Sequence, residues 1–396
     1  MLSQFTQIGA ILAGKYRVER VLGEGGMGVV LAVRLATTGD RLAMKLVSGE
    51  IAEDAVALER FRREARALMR INSAHVVRIV EVGCLPDGTP YMVMEYLEGR
   101  SLSQHLAQTG PLPVWQAADF ALQICDAFAH AHAFGIVHRD LKPSNLYVVR
   151  RPDGVEQLTV IDFGIAKQTG GGTTTAGFSL TKTAQLVGSP RYMAPEQIAA
   201  SKDVDARVDI WSIGVTLYEV LTGHPAFEGK TLVSLYTEIT LKQPLPMSHY
   251  RSDLPLGLGS VVARCIQKER EDRYCDVAEL ACALKPFASG ECGVKPEILA
   301  SVLGRPSRGS LSSMPPSSNG REPLLKWVGT PGGESKPAPS QVSTASRAAN
   351  DHVLGWLLLA LVFTIAVVVG AIVLLRGPVQ ALRHPPHSAT SHGVRK

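Results

Sequence analysis

The sequence predicts an α+β chain in two lobes, a small β-rich N-lobe followed by a larger α-helical C-lobe, with one C-terminal transmembrane helix behind them. Three observations predict it. Strand-like runs with Gly-rich turns fill residues 16–47. Helical periodicity dominates from about 100 to 287. An uncharged apolar run of 23 residues occupies Val353–Leu375.

The elements follow in order. Tyr16–Leu22 and Val29–Leu35 alternate apolar with polar, and Thr38-Gly39-Asp40 turns the chain into Leu42–Val47. Residues 52–70 read as a helix, because Val56, Phe61, Ala65, Leu68 and Met69 fall near helical spacing with Arg and Glu between them. Val76–Val82 and Tyr91–Tyr96 read as strands, and Asp153-Gly154 marks a short hairpin within the helical part. Residues 1–15 form an N-terminal extension and 16–287 one folded domain. Residues 288–352 are rich in Ser, Pro and Gly and poor in aromatics, so they read as a flexible linker. As a helix, residues 353–375 would be about 34 Å long, enough for a hydrocarbon core of about 30 Å. Trp356 sits near one end, where the interface favours it. Residues 376–396 are a short polar tail.

Composition narrows the function classes. At 45% hydrophobic and 19% charged, the chain can build a large core. A net charge of +5 without a Lys/Arg run or basic stripe speaks against a nucleic-acid partner. None of the six cysteines forms a C-x-x-C pair and no His cluster accompanies them, which speaks against zinc. Cys84 and Cys125, in a strand and a helix, read as buried thiols of a reducing cytosol. The first fifteen residues lack a basic n-region and a sustained apolar stretch, so no cleavable signal peptide is expected.

The chemistry begins at Leu22-Gly23-Glu24-Gly25-Gly26-Met27-Gly28, between the first two strands. Glycines let a backbone close over phosphates and point N–H groups at them. A dinucleotide-binding fold also uses this spacing but needs a helix next; here a strand follows, with Val30 placed to roof an adenine. Lys45 lies on the third strand, where it can hold α- and β-phosphates, and Glu64 lies 19 residues on in the following helix. His138-Arg139-Asp140-Leu141-Lys142-Pro143-Ser144-Asn145 combines a carboxylate, a lysine and an amide within six positions. Asp162-Phe163-Gly164 begins 17 residues after Asn145, and Ala194-Pro195-Glu196 begins 30 residues after Gly164.

These motifs, in this order, resemble the protein kinases, and the chain is most similar to the eukaryotic-like (Hanks-type) Ser/Thr kinases of bacteria, several of which carry a membrane span after the kinase domain. The resemblance covers residues 16–287 and implies the two-lobed protein-kinase fold. It implies that Asp140 orients the substrate hydroxyl, that Lys142 stabilises the γ-phosphate, and that Asn145 and Asp162 ligate Mg²⁺, with Mn²⁺ as an alternative. Lys45 would pair with Glu64 in the active state. ATP would meet the glycine-rich loop, a ceiling of Val30 and Ala43, and the backbone of Glu95 and Leu97 in the hinge, with Met94 as gatekeeper. Tyr147 departs from the family, which puts a smaller aliphatic residue on the adenine floor. Asp209 would brace the catalytic loop, and Glu196 would pair with buried Arg273.

The resemblance also frames regulation. Ile165–Met193, rich in Gly, Thr and Ser, reads as an activation loop. Arg139 can hold a phosphorylated residue there, with Thr181 and Thr183 the first candidates, Thr173–Thr175 the second, and Ser189 shaping the substrate pocket. Autophosphorylation in trans is expected, which calls for a homodimer. The tail flank carries Arg376, Arg383, Arg395 and Lys396 against Lys336 and Arg347 before the span, which alone would put the tail inside. The need for cytoplasmic ATP outweighs this, so the expectation is a single-pass protein of the cell (inner) membrane with its kinase domain cytoplasmic. Two alternatives compete with an active kinase on protein substrates. A membrane-tethered pseudokinase scaffold would lack Lys45, Asp140 or Asp162 equivalents. A small-molecule phosphotransferase of the same fold is disfavoured by Lys142 and the substrate loop Gly188–Glu196.

Overall fold

The computed structural model describes residues 5–25, 28–47, 55–151, 153–163, 190–199, 201 and 204–305. The readings at Gly26, Met27, Thr173–Thr175, Thr181, Thr183 and Ser189 lie outside the described residues. So do the linker from 306 on, the 353–375 span and the 376–396 tail.

Strands β1 (Ile11–Leu12), β2 (Tyr16–Gly25), β3 (Gly28–Leu35), β4 (Arg41–Val47), β5 (Ile79–Cys84) and β6 (Pro90–Glu95) form one antiparallel sheet in the order β1-β2-β3-β4-β6-β5. Alternation divides it into two faces. Leu42, Met44 and Leu46 of β4 join Tyr91 and Val93 of β6 and Leu12 of β1 in one core. Ala43, Val47, Met92 and Met94 point the other way, against Phe61, Ala65 and Leu68 of α1 (Ala55–Leu68). Lys45 shares that second face, so the sheet itself aims it toward the larger lobe.

The sheet starts within the segment read as an N-terminal extension. Gly9 N–H donates to Val18 O and Val18 N–H to Ala10 O, both at 2.9 Å, which ties β1 to the edge. The run Val76–Val82 does not form a single strand. Val76 bridges Val160 in parallel and Val77 N–H donates to Val160 O at 2.9 Å, so pairing within the sheet starts only at Ile79. The β-branched run could serve either partner, and tertiary contact divides it.

The larger lobe opens with β7 (Gly99–Ser101) and α2 (Leu102–Thr109). Ser101 and Gln104 close a capping box at the start of α2. A small sheet β7-β8-β9 adds β8 (Leu146–Arg150) and β9 (Glu156–Val160). The remaining helices are α3 (Val114–Ala133), α4 (Pro195–Ile198), α5 (Arg207–Thr222), α6 (Leu232–Leu241), α7 (Leu256–Cys265), α8 (Val277–Leu284) and α9 (Pro296–Val302). Helix α5 is buried on all sides, as an all-round apolar helix must be, and forms the axis of the lobe. A Cβ on Gly214 would lie 2.4 Å from Cys265 Cβ, so glycine is what lets α5 touch α7. All six cysteines are free, with Cys125 and Cys265 buried.

Residues 288–305, assigned by composition to the flexible linker, are packed structure. Helix α9 lies against α3 and α8 with Leu299 buried. Ser289 donates from its N–H and Oγ to Asp119 at 3.0 and 2.6 Å, and Arg305 pairs with Asp276 at 2.6 Å. The Ser, Gly and Pro content masks a short apolar spacing, Pro296–Leu299–Leu303, that suffices when a finished helical surface is already there to receive it.

Candidate active site

The β2–β3 hairpin carries the glycine-rich segment, with Gly23 opposite Val30 and Gly25 opposite Gly28. Gly28 has φ 135°, and a Cβ there would fall 1.9 Å from Leu46 O, so only glycine lets β3 leave the turn against β4. Leu22 and Glu24 are exposed at this rim. Ala43 and Met94 are cross-strand partners on the buried face, and Glu95 N–H is committed to Arg78 O at 3.0 Å. Leu97 follows, half-buried. On β8, Leu146 and Val148 point into the core, and Tyr147 faces the opposite side between the small residues Ser101 and Thr159.

Across the cleft, the loop between α3 and β8 is held in a strained form. Arg139 has φ 62°, a conformation that non-glycine residues adopt only when their surroundings enforce it. Asp209, fully buried near the start of α5, supplies the enforcement. Its Oδ2 accepts the His138 N–H at 2.9 Å and His132 Nε2 at 2.8 Å, and its Oδ1 accepts the Arg139 N–H at 2.9 Å. Burial alone would raise the Asp209 carboxyl. The bond and charge of His132, the charge of His138 and the Arg139 amide outweigh it and hold the carboxyl below its ordinary range.

Asp140 follows directly, with its N–H donating to His138 Nδ1 at 3.2 Å. Lys142 Nζ reaches Asp140 Oδ2 at 3.1 Å. Asn145 Nδ2 donates to Asp140 O at 2.9 Å, which turns the amide oxygen of Asn145 away as an acceptor. Asn145 O accepts the Ile161 N–H at 3.0 Å, which sets Asp162 beside the same loop. Asp140, Lys142, Asn145 and Asp162 are thus brought together. The oxygen set of Asn145 and Asp162 suits a hard divalent cation.

Lys45 Nζ donates to both Asp162 oxygens at 2.8 Å. Among the described residues no ion pair joins Lys45 to Glu64, so the pair expected of an active state is not made in this conformation. Burial pushes the Glu64 carboxyl up, against Arg63, Arg139 and Arg60, which pull it down. Behind Met94, Lys45, Phe61, Leu68, Ile79, Asp162 and Phe163 line an apolar cavity of about 20 Å³. That holds a water at most, so this space is not a nucleotide site.

Glu196 and Arg273 form a two-pronged pair, Nη1 to Oε1 at 2.7 Å and Nη2 to Oε2 at 2.9 Å. The fully buried guanidinium also donates to the carbonyls of Gln267, Arg207 and Lys268.

Sequence reasoning gave no role to several supporting residues. His132 braces Asp209 from a helix face that otherwise reads as core. The rings of Phe128, His138 and Phe163 lie 4.9 to 6.2 Å apart and join the catalytic loop to Asp162. Gln197 Nε2 caps Arg139 O at 3.0 Å, and Tyr192 OH donates to Glu219 at 2.6 Å. His138 and Phe163 sit inside motifs already singled out and could have been found there; the others carry no local signal.

The protein kinase domain family matches residues 16–283. A probable serine/threonine-protein kinase of Clostridium acetobutylicum is 36% identical over 274 residues, 69% of this chain and 40% of that protein. Serine/threonine-protein kinase Pkn1 of Myxococcus xanthus is 36% identical over 275 residues, 69% and 38% of the two chains. PknB of Mycobacterium leprae is 34% identical over 291 residues, 73% and 45%. The chain spans less than half the length of these relatives. The crystal structure of the Mycobacterium tuberculosis PknI kinase domain is similar with a TM-score of 0.56 and 28% identity, covering 71% of this chain and 99% of that one.

Proposed function

The chain belongs to the protein kinase family, and from that premise we propose that it is an ATP-dependent serine/threonine protein kinase acting on protein hydroxyls. The observation that carries this reading is the convergence of Asp140, Lys142, Asn145 and Asp162 on one braced loop. Phosphoryl transfer is mostly positioning and charge neutralisation, and such a set supplies both. Asp140 orients the acceptor hydroxyl and takes its proton. Lys142 lies along the γ-phosphate. Lys45 holds the α- and β-phosphates beneath the glycine-rich hairpin. Asn145 and Asp162 would hold Mg²⁺, or Mn²⁺, which when bound neutralises the charge that develops on the phosphates. Retention of Lys45, Asp140 and Asp162 disfavours the pseudokinase scaffold.

The conformation itself supports a regulatory reading. Lys45 sits on Asp162, and Glu64 stands among Arg60, Arg63 and Arg139 instead. A phosphate on Thr181 or Thr183, added in trans by a second copy, draws those arginines and frees Glu64 to move to Lys45. The apolar run Val353–Leu375 supports a single membrane span, and the need for cytoplasmic ATP supports a kinase domain on the cytoplasmic side of the cell membrane.

A kinase assay with labelled ATP and Mg²⁺ on the full chain in lipid, beside Asp140→Asn, tests the proposal. Wild type should label itself and a generic acceptor protein, and the variant should lose about 10²–10⁴ in rate. Equal labelling by both would remove Asp140 from its role. No labelling by folded, ATP-binding wild type would favour the scaffold.

A further inference from the structure

Pro190–Ile198 forms a wall beside Asp140. Gln197 Nε2 bonds Arg139 O at 3.0 Å, and Gln197 Oε1 accepts the Ala194 N–H at 3.0 Å. Ser212 Oγ, on α5, donates to Tyr192 O at 2.9 Å. The wall is therefore fixed at one end to the loop of Asp140 and in its middle to the axis of the lobe. Arg191, half-buried, is the wall residue next to Tyr192, whose carbonyl is one of these anchors.

The charges on this wall are unequal. Glu219, from α5, is occupied from within the chain. It accepts Tyr192 OH at 2.6 Å, and although burial pushes its carboxyl up, that bond and the nearby Arg191 charge oppose the push. Arg191 has the opposite standing. Its Nε is buried without a hydrogen-bond partner, and among the described residues it makes no ion pair. A buried donor of a charged group left without an acceptor is costly, and a planar guanidinium is shaped to take a carboxylate or phosphate by two parallel bonds. The wall therefore offers an incoming chain a cation short of an acceptor and no open carboxylate. That arrangement attracts anionic side chains and repels cationic ones.

We propose that Arg191 reads an anionic side chain flanking the acceptor Ser or Thr, which makes the substrate class acidic or already phosphorylated protein segments. The inference rests on the protein-kinase reading of the site.

The test is a peptide array presented to the full chain. Each position flanking a fixed Ser acceptor is varied through Asp, Glu, phosphoserine, Ala and Arg, and kcat/KM ratios are taken within each enzyme. An anionic residue at one flanking position should beat Ala by about tenfold, the size of one charge-assisted hydrogen bond, and Arg should fall below Ala. Asp and Glu beating phosphoserine, or the reverse, decides between carboxylate and phosphate. Arg191→Glu should invert the order, and Arg191→Met, which keeps the side-chain bulk, should level it. Ratios within one enzyme cancel any loss of folded protein. Equal use of Asp, Ala and Arg peptides by an enzyme that labels them overturns the role of Arg191 and leaves the kinase reading intact. So does an acidic preference that survives Arg191→Glu. Labelling of no peptide at all overturns the kinase reading, and the inference with it.

Discussion

The two sides of the cleft are held to different standards. On the C-lobe side, Asp209 satisfies three donors at 2.8 to 2.9 Å, and Arg273 spends its donors on Glu196 and three carbonyls. On the N-lobe side, Lys45 and Glu64 stand on one face of the cleft without meeting, and Glu64 is half-buried among arginines. The first side is built before substrate arrives. The second retains a choice of partners. A buried carboxylate that accepts three hydrogen bonds is costly to disturb, whereas a lysine held by one half-exposed carboxylate can change partner cheaply. On the regulation proposed above, positioning belongs to the C-lobe and switching to α1.

The largest effect should come from emptying the C-lobe brace. Asp209→Ala strands the amides of His138 and Arg139 together with His132. At about 1–3 kcal/mol for each stranded donor, the loss should be about 5 kcal/mol, read by urea unfolding. The strain at Arg139 then has nothing to enforce it, so any surviving protein should also lose kcat. The pH dependence has a definite sign. The folded carboxyl lies below its ordinary value of 3.8, so its contribution is full above that pH and disappears as pH falls through the folded value. Wild type should lose stability across that acid window more steeply than Asp209→Ala. A near-neutral substitution would mean the brace is no more than one arrangement among several.

Glu196→Gln should come next. It leaves the fully buried Arg273 charge with three carbonyls and no counter-charge. Removing one partner of such a pair costs about 3–5 kcal/mol. The remaining acceptors put this case at the lower end, visible as a fall in Tm. No fall would show that the carbonyls alone suffice.

What was legible in the sequence follows the same division. Asp140, Lys142, Asn145 and Asp162 could be read because the chemistry requires those residue types at short, fixed spacings, and a loop and a hairpin carry them. Asp209 and the Glu196–Arg273 partners could be named from motif alone, but not the geometry that makes them matter. His132 bonding Asp209, or Tyr192 bonding Glu219, depends on packing between helices far apart in sequence, and no local pattern encodes it. Lys45 had two eligible carboxylates. Which one it holds depends on where α1 sits, and periodicity fixes only which face of α1 is buried. The ends of the domain were hidden for a simpler reason. A two-residue strand such as β1 has no period to detect, and α9 is stable only because α3 and α8 are there to pack against.

The smallest and most discriminating effect concerns Glu64. Burial raises its folded carboxyl above the ordinary 4.5, against the pull of Arg63, Arg139 and Arg60. A raised carboxyl favours the folded state fully below 4.5, and that advantage is lost as pH rises through the folded value. Glu64→Gln cannot ionise and escapes the loss. Its Tm should match wild type in acid and exceed it slightly at neutral pH, and its kinase activity should fall at the same time, because the partner Lys45 needs is gone. Gain of stability with loss of activity is the signature of a group held in reserve. If the variant is instead less stable than wild type at neutral pH, Glu64 already holds a cation in solution. The N-lobe side would then be as firmly assembled as the C-lobe side, and α1 would not be the switch.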